Sequence, residues 1–185
     1  MRIRRFAAAV VLALSSLAAA DNYTVDAIHS SILFKVKHAD AANFYGAFEK
    51  CSGTVVTEGD VIKSVSITID AASVQTRNEA RDKHLRGPDF FDTKQFPEMT
   101  FVSKDVKASG EGYEVTGDLT MHGTTRPQTV TITKTGAGKN PRGKDVIGLE
   151  SIFTIKRSDF GVSGYVGKGV GDEVTLIVSV ECAKE

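Results

Sequence analysis

The chain has 185 residues, in which 23 Lys and Arg residues are matched by 23 Asp and Glu residues. This balance argues against a nucleic-acid partner, because phosphate groups are bound by a concentrated basic surface. The length is that of one domain, and two cysteines are too few for a disulfide scaffold.

The first twenty residues have the layout of a signal peptide. Arg2, Arg4 and Arg5 precede an apolar run over residues 6–17, and three alanines end the segment. The alternative, a retained membrane anchor, is disfavoured because the run is short for a bilayer. We therefore predict a signal peptide over residues 1–20 and a periplasmic or secreted domain over residues 21–185. That domain has 20 basic and 23 acidic residues, a formal charge of −3, and no integral membrane segment.

After the signal peptide, apolar and polar residues alternate in about eight short runs. Ile32, Phe34 and Val36, for example, alternate with Leu33, Lys35 and Lys37. Such alternation predicts antiparallel strands with one buried face. Because the connections are short and turn-like, we predict an all-β fold, an eight-stranded up-and-down barrel of extended lipocalin-like form. A two-sheet sandwich is the alternative.

The alternation is interrupted between residues 76 and 97. Thr76 and Glu79 have the spacing of a capping box, which predicts a short helical insertion near residues 77–92. This helix has one large aliphatic residue, Leu85, and three phenylalanines follow it. A short charged helix cannot form a core alone, so we predict that this segment covers an apolar interior.

The barrel interior is predicted to be hollow. Gly117 and Ser151 fall at inward positions where a solid core would have large side chains, and an eight-stranded barrel can hold one small ligand. We predict that an apolar tail contacts Phe34, Val36, Phe44, Ile67, Ile69, Leu85, Phe90, Phe91, Phe101, Leu119, Ile132, Phe153 and Ile155.

Three polar residues near the predicted entrance are candidates for contact with a ligand head group. His38 ends the first strand, and Arg81 and His84 lie on the predicted helix. Charge-assisted hydrogen bonds from these side chains would suit a phosphate or a quinone oxygen. The alternative is that all three only stabilise the fold.

Signals for catalysis and for metal binding are weak. Asp26, His29 and Ser30 are close in sequence, but no GxSxG motif is present, so a serine-type hydrolase is only an alternative. No two histidines have HxH or HxxxH spacing, and we predict no metal site and no cofactor. In an exported protein, Cys51 and Cys182 could form a disulfide or remain two buried thiols.

The chain resembles the YceI-like family of periplasmic or secreted lipocalin-like proteins linked to polyisoprenoid binding. The resemblance covers residues 21–182 and is carried by SSILFKVKH, YGAFEKCSGTV, ARDKHLRGPDFFDTKQFPEMTF, GDLTMHGTTRP and IKRSDFG. It implies an extended eight-stranded barrel with a helical insertion that binds a long isoprenoid-like chain or another amphiphile. Cys51 is a departure, because the family more often has a bulky apolar residue there.

Together these features predict a non-enzymatic carrier of one apolar small molecule. The ligand classes that we expect are a polyisoprenoid, an isoprenoid quinone or a fatty lipid. The alternatives are a serine-type hydrolase and a structural or protein-interaction barrel without a ligand. A homodimer is the default expectation for the oligomeric state.

Overall fold

The computed structural model describes residues 19–110 and 112–185. The predicted signal peptide falls outside these residues, apart from its last two. The described part of the chain contains β1 (Ala20–His38), β2 (Ala42–Phe48), β3 (Cys51–Glu58), β4 (Val61–Asp70), β5 (Val74–Gln75), α1 (Glu79–Leu85), β6 (Glu98–Ser109), β7 (Gly112–Met121), β8 (Thr124–Lys139), β9 (Asp145–Lys156) and β10 (Val170–Lys184). Two 3₁₀ turns, Ala71–Ser73 and Arg157–Phe160, complete the elements there.

The ten strands form a closed antiparallel barrel with eight positions around its ring. The two ends of β1 pair with β3 and β2, so β2 and β3 together occupy one position. In the same way, β5 extends β4 by pairing with β2. Pairing of β1 with β10 closes the ring. The predicted eight-stranded up-and-down barrel is confirmed, and the sandwich alternative is wrong.

The set of alternate residues that faces the barrel interior changes half-way along strand β1. Tyr23 and Val25 are buried before a register shift between Asp26 and Ser31, whereas Ile32 and Phe34 are buried after it. The extra residues bulge out of the ladder and reverse which alternate positions face inward. The alternation beginning at Ile32 therefore predicts only the second half of this strand.

The short helix is confirmed as α1, but the predicted capping box is wrong. The helix is capped by Asn78, whose Oδ1 accepts a hydrogen bond from the Arg81 amide at 2.9 Å. Thr76 instead donates its hydroxyl proton to the buried Asp82 carboxylate. A buried carboxylate that accepts no hydrogen bond destabilises the folded state. The Thr76 hydroxyl is therefore used to donate to Asp82 and does not cap the helix.

The barrel is packed at one end and hollow at the other. Val55, Ile62, Val115 and Cys182 are each at most 2% exposed and fill the packed end. None of these four lines the cavity described below. Cys182 is a buried free thiol in this structure and Cys51 a half-buried one, and the disulfide between them stays an alternative.

Candidate functional site

The hollow end of the barrel encloses an apolar space, the inner cavity, of about 160 Å³. A single water needs roughly 10–15 Å³, so this space is far larger than a packing defect. Its wall is contributed by eight barrel strands, β1, β2, β4 and β6–β10, together with the helical segment, the second 3₁₀ turn and the loop after it. Thr100, Glu150, Ser151 and Arg157 are the polar residues in a lining that is otherwise apolar.

Two glycines in the wall allow aromatic rings to lie against the barrel backbone. A Cβ atom on Gly46 would lie 2.2 Å from the Phe34 ring, and one on Gly117 would lie 2.7 Å from the Phe101 ring. Each ring thus occupies the space that a side chain would fill on the neighbouring strand. Gly117 leaves room for a cavity-lining ring rather than for the ligand itself.

Twelve of the thirteen residues predicted to contact an apolar tail line the inner cavity. Phe44 is the exception and lies in a second space, the rim cavity, of about 380 Å³. The predicted head-group residues His38, Arg81 and His84 line the same rim cavity. The sequence-based interpretation therefore selects two neighbouring groups of residues, and their contact with a ligand stays a prediction.

Five side chains border both spaces and form the partition between them. This partition consists of Phe34, Val36, Leu85, Phe90 and Val170. Leu85 and Phe90 come from the helical segment, whereas the other three come from the ends of β1 and β10. A long ligand that occupied both cavities would have to displace side chains of the partition.

Arg81 has structural contacts on one side and a cavity on the other. Its Nε donates to the Thr76 hydroxyl at 2.7 Å, and Nη2 donates to the Thr76 carbonyl at 2.6 Å. The guanidinium carbon lies 4.3 Å from the centre of the Phe44 ring, a cation–π contact. These contacts use one N–H of Nε and one of Nη2, so the Nη1 protons and the second Nη2 proton can donate to a ligand at the rim.

Aromatic side chains join the helical segment to the loop that follows the second 3₁₀ turn. Phe90 stacks on Tyr165 with ring centroids 6.0 Å apart, and His84 contacts both rings edge-on. His84 Nε2 also lies 2.9 Å from Asp89 Oδ2. These contacts close the hollow end of the barrel.

Arg157 is a cavity-lining residue that the sequence did not predict. It is 6% exposed, and it donates to the carbonyl oxygens of Val162, Val170 and Gly171. Burial lowers the pKa of this guanidinium, and the neighbouring Asp172 opposes that shift. Arg157 thereby fastens both the loop over residues 161–169 and the start of β10. A charged residue in an alternating run gives no signal of this role.

The three residues of the hydrolase alternative do not form a catalytic triad. Asp26 Oδ2 lies 2.9 Å from His29 Nδ1, as an acid–base pair would require. However, Ser30 Oγ donates to the Asp26 carbonyl oxygen and accepts a hydrogen bond from the Glu181 amide. The Ser30 proton is therefore directed at the backbone, whereas a nucleophile must direct it at the histidine.

The closed barrel, its inner cavity and the short covering helix define a lipocalin-like class of barrel. The model of the YceI-like domain family matches residues 23–182, and the chain belongs to this family. In residues 19–110 and 112–185, no helix is both long enough and apolar enough to cross a membrane.

Individual known proteins agree with this assignment. A UPF0312 protein from Photorhabdus laumondii is 38% identical over 182 residues, which cover 96% of this chain and 94% of that protein. The crystal structure of Burkholderia cenocepacia BcnA is similar with a TM-score of 0.76 and 30% identity, covering 85% of this chain and 98% of BcnA. A domain from Saccharophagus degradans, described as polyisoprenoid binding, has the same fold at 17% identity, with a TM-score of 0.66 and coverage of 92% and 100%.

Proposed function

We propose that the protein is an exported, non-catalytic carrier of one long apolar molecule. The observation that carries the proposal is the inner cavity, which lies inside a closed barrel and is lined almost wholly by apolar side chains. Such a lining binds by removing apolar surface from water, at about 25 cal/mol per Å². It recognises chain length poorly, because one methylene changes the binding energy little.

In this proposal the tail of the ligand occupies the inner cavity and its polar head lies in the rim cavity. An empty space of about 150 Å³ holds a benzene-sized group, so a longer tail requires Leu85 and Phe90 to turn aside. The head would then meet His38, Arg81 and His84. A polyisoprenoid, an isoprenoid quinone or a fatty lipid has this combination of tail and head.

Export follows from the signal peptide proposed for residues 1–20, which leaves residues 21–185 as the mature carrier in the periplasm or outside the cell. The basic head, short apolar run and final alanines of the first twenty residues support it. N-terminal sequencing of the mature protein tests the cleavage site. An N-terminus at Met1 in the purified protein would contradict export through this segment.

The experiment that tests the carrier proposal compares Ser151→Phe with Ile152→Phe. Ser151 is buried in the cavity wall, whereas Ile152, its neighbour on β9, is 58% exposed on the outer surface. A phenylalanine at residue 151 fills the inner cavity, and the same change at residue 152 leaves the cavity intact. Native mass spectrometry of gently purified protein, and of delipidated protein given geranylgeraniol, measures ligand occupancy.

We expect a bound mass of several hundred daltons on the wild type and on Ile152→Phe, and at least a tenfold lower occupancy on Ser151→Phe. Circular dichroism establishes that both variants are folded. Equal occupancy of a folded Ser151→Phe variant, or a wild type that neither carries nor takes up an apolar molecule, would contradict the proposal.

A barrel that acts through its outer surface is the second candidate, and one observation favours it. Leu33, Ile177 and Ile152 are paired in register across β1, β10 and β9, and Leu33 and Ile152 are exposed. This apolar row would suit the homodimer expected by default. Light scattering at several protein concentrations measures whether the chain pairs.

A further inference from the structure

A second cluster of polar side chains lies on the outer wall, where β1 and β10 close the barrel. Asp26 and Glu181 are direct cross-strand partners, and His29 belongs to the bulge that follows Asp26. His29 Nδ1 lies 2.9 Å from Asp26 Oδ2 and 3.9 Å from Glu181 Oε1. The three potential ligand atoms all lie within 4.8 Å of one another.

These separations are those of ligands around one small cation. Zinc is bound by His nitrogen and carboxylate oxygen at about 2.0–2.2 Å, so two ligands of a tetrahedral site are about 3.3 Å apart. The two distances from His29 Nδ1, 2.9 Å and 3.9 Å, bracket this value. An ion between the three atoms requires only small side-chain rotations.

Hydrogen bonds outside the cluster orient the Asp26 side chain and join the backbones of the two strands that carry the ligands. The Ile28 amide donates to Asp26 Oδ1 at 2.9 Å, which leaves Oδ2 directed at the cluster. Ser30 Oγ donates to the Asp26 carbonyl oxygen and accepts from the Glu181 amide, which joins the backbones of both ligand-bearing strands. Partners of this kind hold metal ligands in place and strengthen binding.

The two carboxylates of the cluster also favour a bound cation electrostatically. Carboxylates directly opposite each other on adjacent strands repel, so the Asp26–Glu181 pair is unfavourable by itself. A single imidazolium neutralises one of the two charges, whereas a divalent ion bound to neutral His29 neutralises both. The three side chains are partly exposed, between 31% and 61%, so an ion can reach them from solvent.

We propose that Asp26, His29 and Glu181 form a zinc site on the barrel seam, with water in the fourth position. His29 coordinates through Nδ1, and the two carboxylates supply one oxygen each. Because the ligands belong to β1 and β10, bound zinc fastens the two strands whose pairing closes the barrel. The site is separate from both cavities, so it does not depend on the carrier function.

Sequence spacing does not predict this site. Glu181 comes from the last strand and His29 from the first, and only the closed barrel brings them together. The absence of HxH or HxxxH spacing therefore excludes a local metal motif, but not a site assembled across the seam.

Zinc titration of the EDTA-treated, dialysed protein against a chromophoric chelator tests the proposal. We expect one equivalent to bind to the wild type and to raise its melting temperature. In His29→Ala and in Glu181→Gln, we expect at least tenfold weaker binding and no rise. The control is Asp105→Asn, which removes an exposed carboxylate that pairs with Lys107 on β6, away from the seam. It should bind zinc like the wild type.

Glu181→Gln keeps the size and the backbone contacts of the residue, so it stays informative even if His29→Ala is unstable. Wild-type protein that binds no zinc would overturn the proposal. Binding that is equally strong in folded Glu181→Gln and wild type would also overturn it, because the ion would then lie elsewhere.

Discussion

The two thiols differ from an ordinary surface cysteine because of where the barrel places them. Burial, together with the nearby Cys51 and Glu181, raises the pKa of Cys182 to about 12. Burial also raises the pKa of Cys51, which is only half-buried. Since the thiolate is the reactive form, neither side chain is expected to be a strong nucleophile near neutral pH.

We predict that iodoacetamide at pH 8 labels Cys51 slowly and Cys182 only after unfolding. Cys182 is inaccessible and, with a pKa of about 12, almost fully protonated at that pH. Mass spectrometry of peptides from native and denatured samples measures the two rates. Labelling of Cys182 as fast as Cys51 in the native state would contradict this burial. Failure to label either thiol under denaturing, non-reducing conditions would instead reveal a disulfide.

At the level of single residues, the alternation along each strand predicts which side chains point into the barrel. Phe153 and Ile155 line the inner cavity because every second residue of a barrel strand points inward. Arg157 continues the same alternation, but a buried guanidinium is stable only when carbonyl oxygens surround it. Those oxygens belong to Val162 in the following loop and to Val170 and Gly171 at the start of β10, so no local pattern indicates them.

The element that controls the hollow end is α1 with the residues that follow it. Arg86 donates to the carbonyl oxygens of Ala72 and Val74, and Arg81 donates twice to Thr76. Arg81 within α1 and Arg86 at its C-terminal cap thus fasten the helix to the same stretch of chain. Only Arg81 also lines the rim cavity, which makes the two residues a matched pair.

We predict that Arg81→Ala and Arg86→Ala lower the free energy of unfolding by similar amounts, about 1–3 kcal/mol, because each loses two hydrogen bonds. Ligand occupancy should fall further in Arg81→Ala, since only this change removes a donor from the rim cavity. Urea unfolding and native mass spectrometry measure the two quantities. If occupancy falls equally in both variants, Arg81 acts only by holding the helix.

The helix also shows why the presence of an element can be predicted when the residue that caps it is not. A polar start followed by Gly87 and Pro88 indicates a short helix. Both Thr76 and Asn78 can cap one: the spacing to Glu79 favours Thr76, whereas the intrinsic N-cap preference favours Asn78. Asp82 decides between them, because its burial in the folded protein requires a donor and Thr76 supplies it.

For the whole molecule, closure of the barrel brings inward side chains together across its axis. They pack at one end and leave the inner cavity at the other. The alternating runs predict the number of ring positions, because each run is one crossing of the barrel wall. They do not predict that β2 and β3 share one crossing, since both pair with the long β1. Nor do they predict where the interior is packed, because that depends on which inward side chains meet across the axis.

The same closure explains how one fold can be both stable and hollow. Residues such as Val55 and Val115 are fully buried at the packed end, and the complete ring leaves no strand edge exposed along the main seam. The hollow end is covered instead by one short helix and one loop. This arrangement allows the cover to move without opening the barrel itself.

What occupies the inner cavity of the protein as it is purified is the most direct test of whether it is a carrier. A crystal structure of gently purified protein, without delipidation, measures this. We predict elongated electron density that begins among Leu149, Val130 and Val180, passes between Leu85 and Phe90 and ends beside Arg81. Density showing the inner cavity filled by the protein's own side chains, with no elongated molecule inside, would contradict the account.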